Sequence, residues 1–195
     1  KDREIARLEA AYSRNLDASG VELHRCRAVI EGPHEVRLTE NDRCLTARHI
    51  LVATGGRPFV PDIPGAHHAV TSNEVFDLPH FPGRVVIVGG GYIAGEFACI
   101  FHGLGAQVTQ VYRGDLFLRG FDREVREHVA EGMRKKGMDL RFQDNVTALD
   151  REGGHLSARL ESGAVLPTDL VLYATGRRPA TRGLGLEALG VELGG

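Results

Sequence analysis

Arg84-Val-Val-Ile-Val-Gly-Gly-Gly-Tyr-Ile-Ala-Gly-Glu-Phe-Ala98 decides how the rest of the chain is read. Residues 85–88 are an apolar run too short for a helix and halted by three glycines, the pattern of a strand buried on both faces. Beyond them Ile93, Phe97, Ile100, Phe101 and Leu104 recur at i, i+4, i+7, i+8 and i+11. A helix with one apolar face is therefore expected to start inside the glycine motif and end near Gly105. Gly89, Gly91 and Ala94 form a G-x-G-x-x-A pattern. In it the first glycine permits a tight turn, the second admits a pyrophosphate close to the backbone, and the third small residue lets helix pack on strand. A bound anion would then meet the unpaired N–H groups and positive dipole end of the helix.

Upstream, Ile5, Leu8, Tyr12 and Leu16 mark an amphipathic helix over 2–19, closed by Gly20. Alternating runs over 21–30 and 34–39 and a third beginning at Cys44 predict a small antiparallel meander. Residues 49–53 predict an apolar strand leading into a Thr-Gly-Gly turn. Pro58, Pro61, Pro64, Pro79 and Pro82 then mark a connector, interrupted by one short helix with a capping-box start, Thr71-Ser-Asn-Glu74. Downstream, a second strand over 107–112 leads to a charged helix capped by Asp122 and ended by Gly137, and a third strand covers 138–142. Short strands over 146–149, 156–160 and 165–166 replace the next crossover helix. A last strand, from Leu170, enters a second Thr-Gly turn. Ala53-Thr-Gly55 and Ala174-Thr-Gly176 echo one another, which suggests two nucleotide domains of related build.

Composition narrows the classes of function. With 195 residues, 42% hydrophobic and 26% charged, the chain can bury a core. A net charge of −2 gives no electrostatic case for nucleic acid. No apolar stretch approaches the roughly 20 residues of a membrane helix, and Lys1-Asp-Arg-Glu does not open a signal peptide. Cys26, Cys44 and Cys99 are odd in number and widely spaced, so neither a disulfide framework nor a metal site is expected, and a reducing cytoplasm is the expected compartment. His67-His68 reads as surface loop rather than a metal site. A start in the middle of a charged helix, without Met, suggests a segment of something longer.

The end of the second strand points to the dinucleotide. An NAD site places a carboxylate about 20 residues past the glycines to bind the ribose 2′-hydroxyl. Here the corresponding place is Tyr112-Arg113, and Arg113 and Arg119 bracket the following loop. Two guanidiniums suit a 2′-phosphate, so NADPH is expected over NADH.

Four motifs carry a resemblance: Gly-Gly-Gly-Tyr-Ile-Ala-Gly-Glu-Phe-Ala at 89–98, Tyr-Arg-Gly-Asp-Leu-Phe-Leu-Arg-Gly-Phe-Asp at 112–122, Ala-Thr-Gly-Gly-Arg-Pro at 53–58 and Ala-Thr-Gly-Arg-Arg-Pro at 174–179. Together they resemble the flavin- and NADPH-dependent pyridine nucleotide-disulfide oxidoreductases, nearest the glutathione reductase branch, with the trypanothione and mercuric reductases as alternatives. The resemblance implies an α/β fold, a Rossmann-like NADPH domain with a β-meander plus the end of a related FAD domain. It places the C-terminal part of the FAD domain at 1–60, the connector at 61–83, the NADPH domain at 84–177 and the return to the FAD domain at 178–195. It further implies that Gly89, Gly90, Gly91 and Ile93 hold the pyrophosphate and ribose of NADPH, and that Arg113 and Arg119 take the 2′-phosphate. Tyr92 would cover the flavin, Glu96 would lie near the nicotinamide carboxamide, and Gly176 and Arg177 would face the same pocket. Ala28, Thr54 and Gly55 match positions that touch FAD.

In such an enzyme hydride passes from NADPH to FAD, and electrons go on to a redox disulfide and then to glutathione disulfide, within a homodimer. The Cys-x4-Cys pair, the acid/base histidine, the first FAD motif and the dimerisation domain of the family have no counterpart here. No catalytic residue is therefore expected in this chain, and as it stands it is expected to be an inactive NADPH-binding module. One departure is Gly95, where the family carries Val or another branched residue; a glycine inside a helix costs about 0.5–1 kcal/mol relative to alanine.

Overall fold

The computed structural model describes residues 1–194. They form two compact units, Lys1–Thr54 with the stretch from Thr181 onward, and Gly55–Ala180.

In the first unit, helix α1 (Asp2–Ala18) ends at Ser19, followed by Gly20 at φ 71°. Its stripe of Ile5, Leu8, Tyr12 and Leu16 is built as expected but exposed, and none of its residues is buried. Strands β1 (Ala28–Gly32), β2 (Glu35–Leu38) and β3 (Cys44–Thr46) make the expected antiparallel meander. The first strand is shorter than its alternation suggested, because β2 supplies partners only from Leu38 to Glu35. Residues 21–27 therefore have no strand to pair with. The expected strand over 49–53 also does not form: none of these residues lies in a strand, and Leu51 is 89% exposed. Ile30 N–H donates to Leu184 O, and Gly185, at φ 84°, lets the chain from Thr181 pass close to the Ile30 carbonyl.

The second unit opens with β4 (Gly56–Pro58). Residues 61–83, expected as a connector, lie within this unit and contribute to its core through Val75. Val70 also pairs backbone groups with Val171 and Tyr173. The expected short helix is a 3-10 turn, Glu74–Asp77. Its capping box is present: Glu74 Oε2 accepts from the Thr71 N–H at 2.7 Å, and Thr71 Oγ1 accepts from the Asn73 N–H at 3.2 Å.

From β5 (Arg84–Val88) the chain builds α2 (Tyr92–Gly103), β6 (Gln107–Tyr112), α3 (Arg123–Lys135) and β7 (Asp139–Phe142). The antiparallel meander β8 (Val146–Glu152), β9 (His155–Leu160) and β10 (Val165–Thr168) follows, then β11 (Leu170–Tyr173) and β12 (Arg177–Pro179). Strands β11, β5, β6 and β7 lie side by side in that order, all parallel. The strand alternation assigns each side chain a layer. Val85, Ile87 and Leu172 pack with Ala94, Ala98 and Phe101 of α2 and Met133 of α3. Val86, Val88, Val171 and Tyr173 pack against Leu149, Leu156 and Ala158 of the meander. The result is a Rossmann-like parallel sheet with helices on one face and a β-meander on the other, and both buried faces explain the continuous apolar strands.

One face was misread from sequence. The buried side of α2 is Ala94, Ala98 and Phe101, whereas Ile100 and Leu104 are 51% and 66% exposed. Small residues let the helix close onto the sheet, Phe101 is buried as its spacing predicts, and Ile100 and Leu104 are turned outward.

Candidate dinucleotide site

The site is built at the C-terminal ends of β5, β6 and β11, where ligands of open parallel sheets bind. Gly89, at φ 145°, packs so tightly on the second Ala-Thr-Gly turn that an added Cβ would lie 2.3 Å from Ala174 O. Gly90 lies flat on the Tyr112 ring, where a Cβ would come within 2.4 Å, and Gly114 closes on the same ring at 2.6 Å. At Gly91, by contrast, a Cβ would meet nothing, so this position leaves open space beside the backbone.

Gly91 is also the N-cap of α2, and it has no side chain to satisfy the first turn. The first intrahelical bond across the turn is Gly95 N–H to Gly91 O. The N–H groups of Tyr92, Ile93 and Ala94 therefore project from an uncapped helix end, the arrangement that binds phosphate oxygens. Tyr92 and Glu96 stand one turn apart on the exposed face of α2. With Gly95, Cys99, Phe117 and Met133 they line an apolar cavity of about 500 Å³. Ile93 is half-buried behind them.

The loop after β6 is held against this turn. Its Leu118 N–H donates to Gly90 O at 2.6 Å. Leu116 and Phe117 are buried, and Arg126 of α3 donates to both of their carbonyls, at 2.8 Å for Phe117. Arg113 and Arg119 are exposed at the two ends of this anchored loop, and neither forms an ion pair among the described residues. Two guanidiniums without an ion pair, on a fixed loop next to an uncapped helix, could hold a doubly charged anion.

The second Thr-Gly turn joins the same end of the sheet through the contact of Ala174 with Gly89. Gly176 is at φ 133°, and the Arg177 guanidinium donates to the Gly56 carbonyl. Strand β12 pairs antiparallel with β4, placing Arg178 opposite Arg57, while the Arg178 guanidinium stacks on Phe59 with 4.0 Å to the ring centre. The two sequence echoes thus continue into one hairpin-like ribbon, a pairing that sequence reading did not anticipate. Ala28 begins β1 half-buried, and Thr54 and Gly55 are exposed on either side of the division between the units.

Two residues of the site had no role assigned from sequence. Tyr112 is the platform under Gly90 and Gly114. Gln110, wholly buried on β6, donates from Nε2 to Gly89 O at 2.9 Å. A polar side chain at an inward position of an apolar strand was the available signal for the second.

A family profile for the pyridine nucleotide-disulphide oxidoreductases matches residues 3–195. Glutathione reductase of Burkholderia cepacia is 50% identical over 193 residues, covering 99% of this chain and 42% of the relative. The glutathione reductases of Nostoc sp. and Pisum sativum, the latter chloroplastic/mitochondrial, are 43% and 41% identical over 194 residues each. Those matches cover 98% and 99% of this chain and 42% and 35% of the relatives. Among solved structures, the HOCl-induced flavoprotein disulfide reductase RclA from Escherichia coli superposes with a TM-score of 0.89 at 28% identity, over 99% of this chain and 45% of that one. The chain therefore spans less than half the length of these relatives.

Proposed function

This chain belongs to the pyridine nucleotide-disulphide oxidoreductases, and from that premise we propose that it is the NADPH-binding segment of a flavin-dependent disulfide reductase of the glutathione reductase kind. Membership implies NADPH and FAD as cofactors. The residues present fit the first of these. A glycine cradle that side chains would fill, an uncapped helix N-terminus and two unpaired arginines match a pyrophosphate and a 2′-phosphate in charge and reach.

The observation that carries the proposal is the bond from Leu118 N–H to Gly90 O, which fixes the arginine loop to the glycine turn. Under this reading Gly89, Gly90, Gly91 and Ile93 hold the pyrophosphate and its ribose. Arg113 and Arg119 select the 2′-phosphate, Tyr92 and Glu96 border the nicotinamide, and Gly176 and Arg177 face the same pocket. NADPH, when bound, supplies a hydride for the flavin. The side chains named here bind and orient the dinucleotide. Ala28, Thr54 and Gly55 are proposed FAD contacts on family resemblance alone.

The same proposal assigns 1–60 to the end of an FAD domain, 61–83 to a connector, 84–177 to the NADPH domain and 178–195 to the return. Reduction of glutathione disulfide, homodimerisation and a cytoplasmic location are proposed for the whole protein, with the redox cysteines and the histidine acid/base outside this chain. Cys26, Cys44 and Cys99 are all free thiols. No helix among the described residues is long and apolar enough to cross a membrane.

The test is the variant Arg113→Glu with Arg119→Glu in the full-length enzyme. Each lost charge-assisted hydrogen bond is worth about 1.5–3 kcal/mol, so KM for NADPH should rise by about tenfold or more while KM for NADH changes little. Equal effects on both coenzymes would remove the 2′-phosphate assignment.

A further inference from the structure

We infer that Gln110 is a positioning residue of the dinucleotide site: by holding the Gly89 carbonyl inside the sheet, it turns the Gly90 N–H outward to meet the pyrophosphate. The inference rests on the NADPH reading of that site. Gln110 is fully buried on β6, in register with Ile87 of β5. Its Nε2 donates to Gly89 O at 2.9 Å, and the Gly89 N–H donates to Val111 O at 2.9 Å. Both polar groups of the first glycine are thus held by the neighbouring strand.

The consequence follows from peptide geometry. In a trans peptide the C=O and the next N–H point to opposite sides, and the chain has no cis peptide among the described residues. With the Gly89 oxygen drawn into the core, the Gly90 N–H is directed away from it, and it has no protein acceptor among the described residues. It joins the free N–H groups of the first turn of α2. Packing does not explain the choice of Gln110, because its Oε1 is buried without a partner. A methionine or leucine of similar volume would fill the space without that unpaired oxygen. Strand β6 therefore serves both ends of the ligand: Gln110 aligns the pyrophosphate turn, and three residues later Arg113 reaches for the 2′-phosphate.

The test compares NADP+ with 2′-AMP, which carries the ribose phosphate but no pyrophosphate, by calorimetric titration of the protein and of Gln110→Met. NADP+ should bind about tenfold more weakly to the variant, the effect of one to two lost hydrogen bonds, and 2′-AMP should bind unchanged. Unaltered NADP+ binding, or an equal loss for both ligands, would overturn the inference. The parent protein separates the two levels of the reading: if it binds neither ligand, the NADPH assignment itself falls. Should Gln110→Met fail to fold, the Gly90 amide of the parent protein is followed by NMR. It should move downfield on addition of NADP+ and stay in place with 2′-AMP, and a stationary resonance with NADP+ is the contrary result.

Discussion

At the scale of single residues, Asp144 shows how a side chain far from any motif holds the site's framework. Its carboxylate accepts from the Asn145 N–H at 2.9 Å, the Ser162 N–H at 3.2 Å and the Ser162 hydroxyl at 2.7 Å. It thereby ties the exit of β7 to the turn between β9 and β10. Burial pushes its pKa up, but the hydrogen bonds from Ser162 and Asn145 and the charge of Arg141 outweigh burial, and the net shift is downward. Asp169, clasped by Arg84 across the starts of β5 and β11, is lowered as well, first through its bond from Arg84. A carboxyl whose folded pKa lies below its unfolded value near 4 stabilises the fold above that pH, and the contribution is lost as pH falls through the folded value. Stability should therefore drop between about pH 4 and pH 2. Urea unfolding at both pH values should show a smaller drop in Asp144→Asn; an equal drop would mean that Asp144 is not part of the acid transition. None of this was legible in advance, because an aspartate between strands reads as a turn residue until its partners from distant sequence are known. The placement of Arg113 and Arg119 at the two ends of the loop after β6 was legible, because it depends only on position along one strand and loop.

At the scale of elements, two nearly identical patterns had different fates. Leu170-Val-Leu-Tyr173 is a fully buried strand because β5 lies beside it in register, whereas Ile50-Leu-Val-Ala53 stays unpaired. Sequence carries the capacity of a run to be a strand; a partner makes it one. Helix α2 teaches the complementary lesson. Its existence, start and end were readable from glycines and periodicity, but its buried face only in part: Phe101 is inside as expected, Ile100 and Leu104 are not. Ala94 and Ala98 count for little on any hydrophobicity pattern, yet they are the residues that let the helix approach the sheet. Nothing in the packing of α2 accounts for Gly95. A Cβ there would meet nothing within 4 Å, so the glycine is not demanded by space. Gly95→Ala should raise stability by about 0.5–1 kcal/mol through backbone entropy and helix propensity, seen as a higher Tm with NADP+ affinity retained. A lowered Tm would show that the open face of α2 needs the glycine for a reason that its own surroundings do not contain.

At the scale of the whole molecule, what was most readable was the order of the elements: strand, glycine turn, helix, strand, helix, strand, then a meander in place of a third crossover. The family profile and the glutathione reductase relatives agree with that reading. Least readable were features that depend on distant pairing, such as the β4–β12 ribbon and the packing of residues 61–83 into the second unit. The fold presents one end of a parallel sheet with a glycine turn, an uncapped helix and two arginines held on the adjoining loop, the end proposed to bind NADPH in preference to NADH. Calorimetric titration of the protein with NADP+ and with NAD+ decides between the two coenzymes. NADP+ should bind tighter by about tenfold or more, from the charge-assisted bonds to the 2′-phosphate; equal affinities, or no binding of either, would overturn the NADPH assignment.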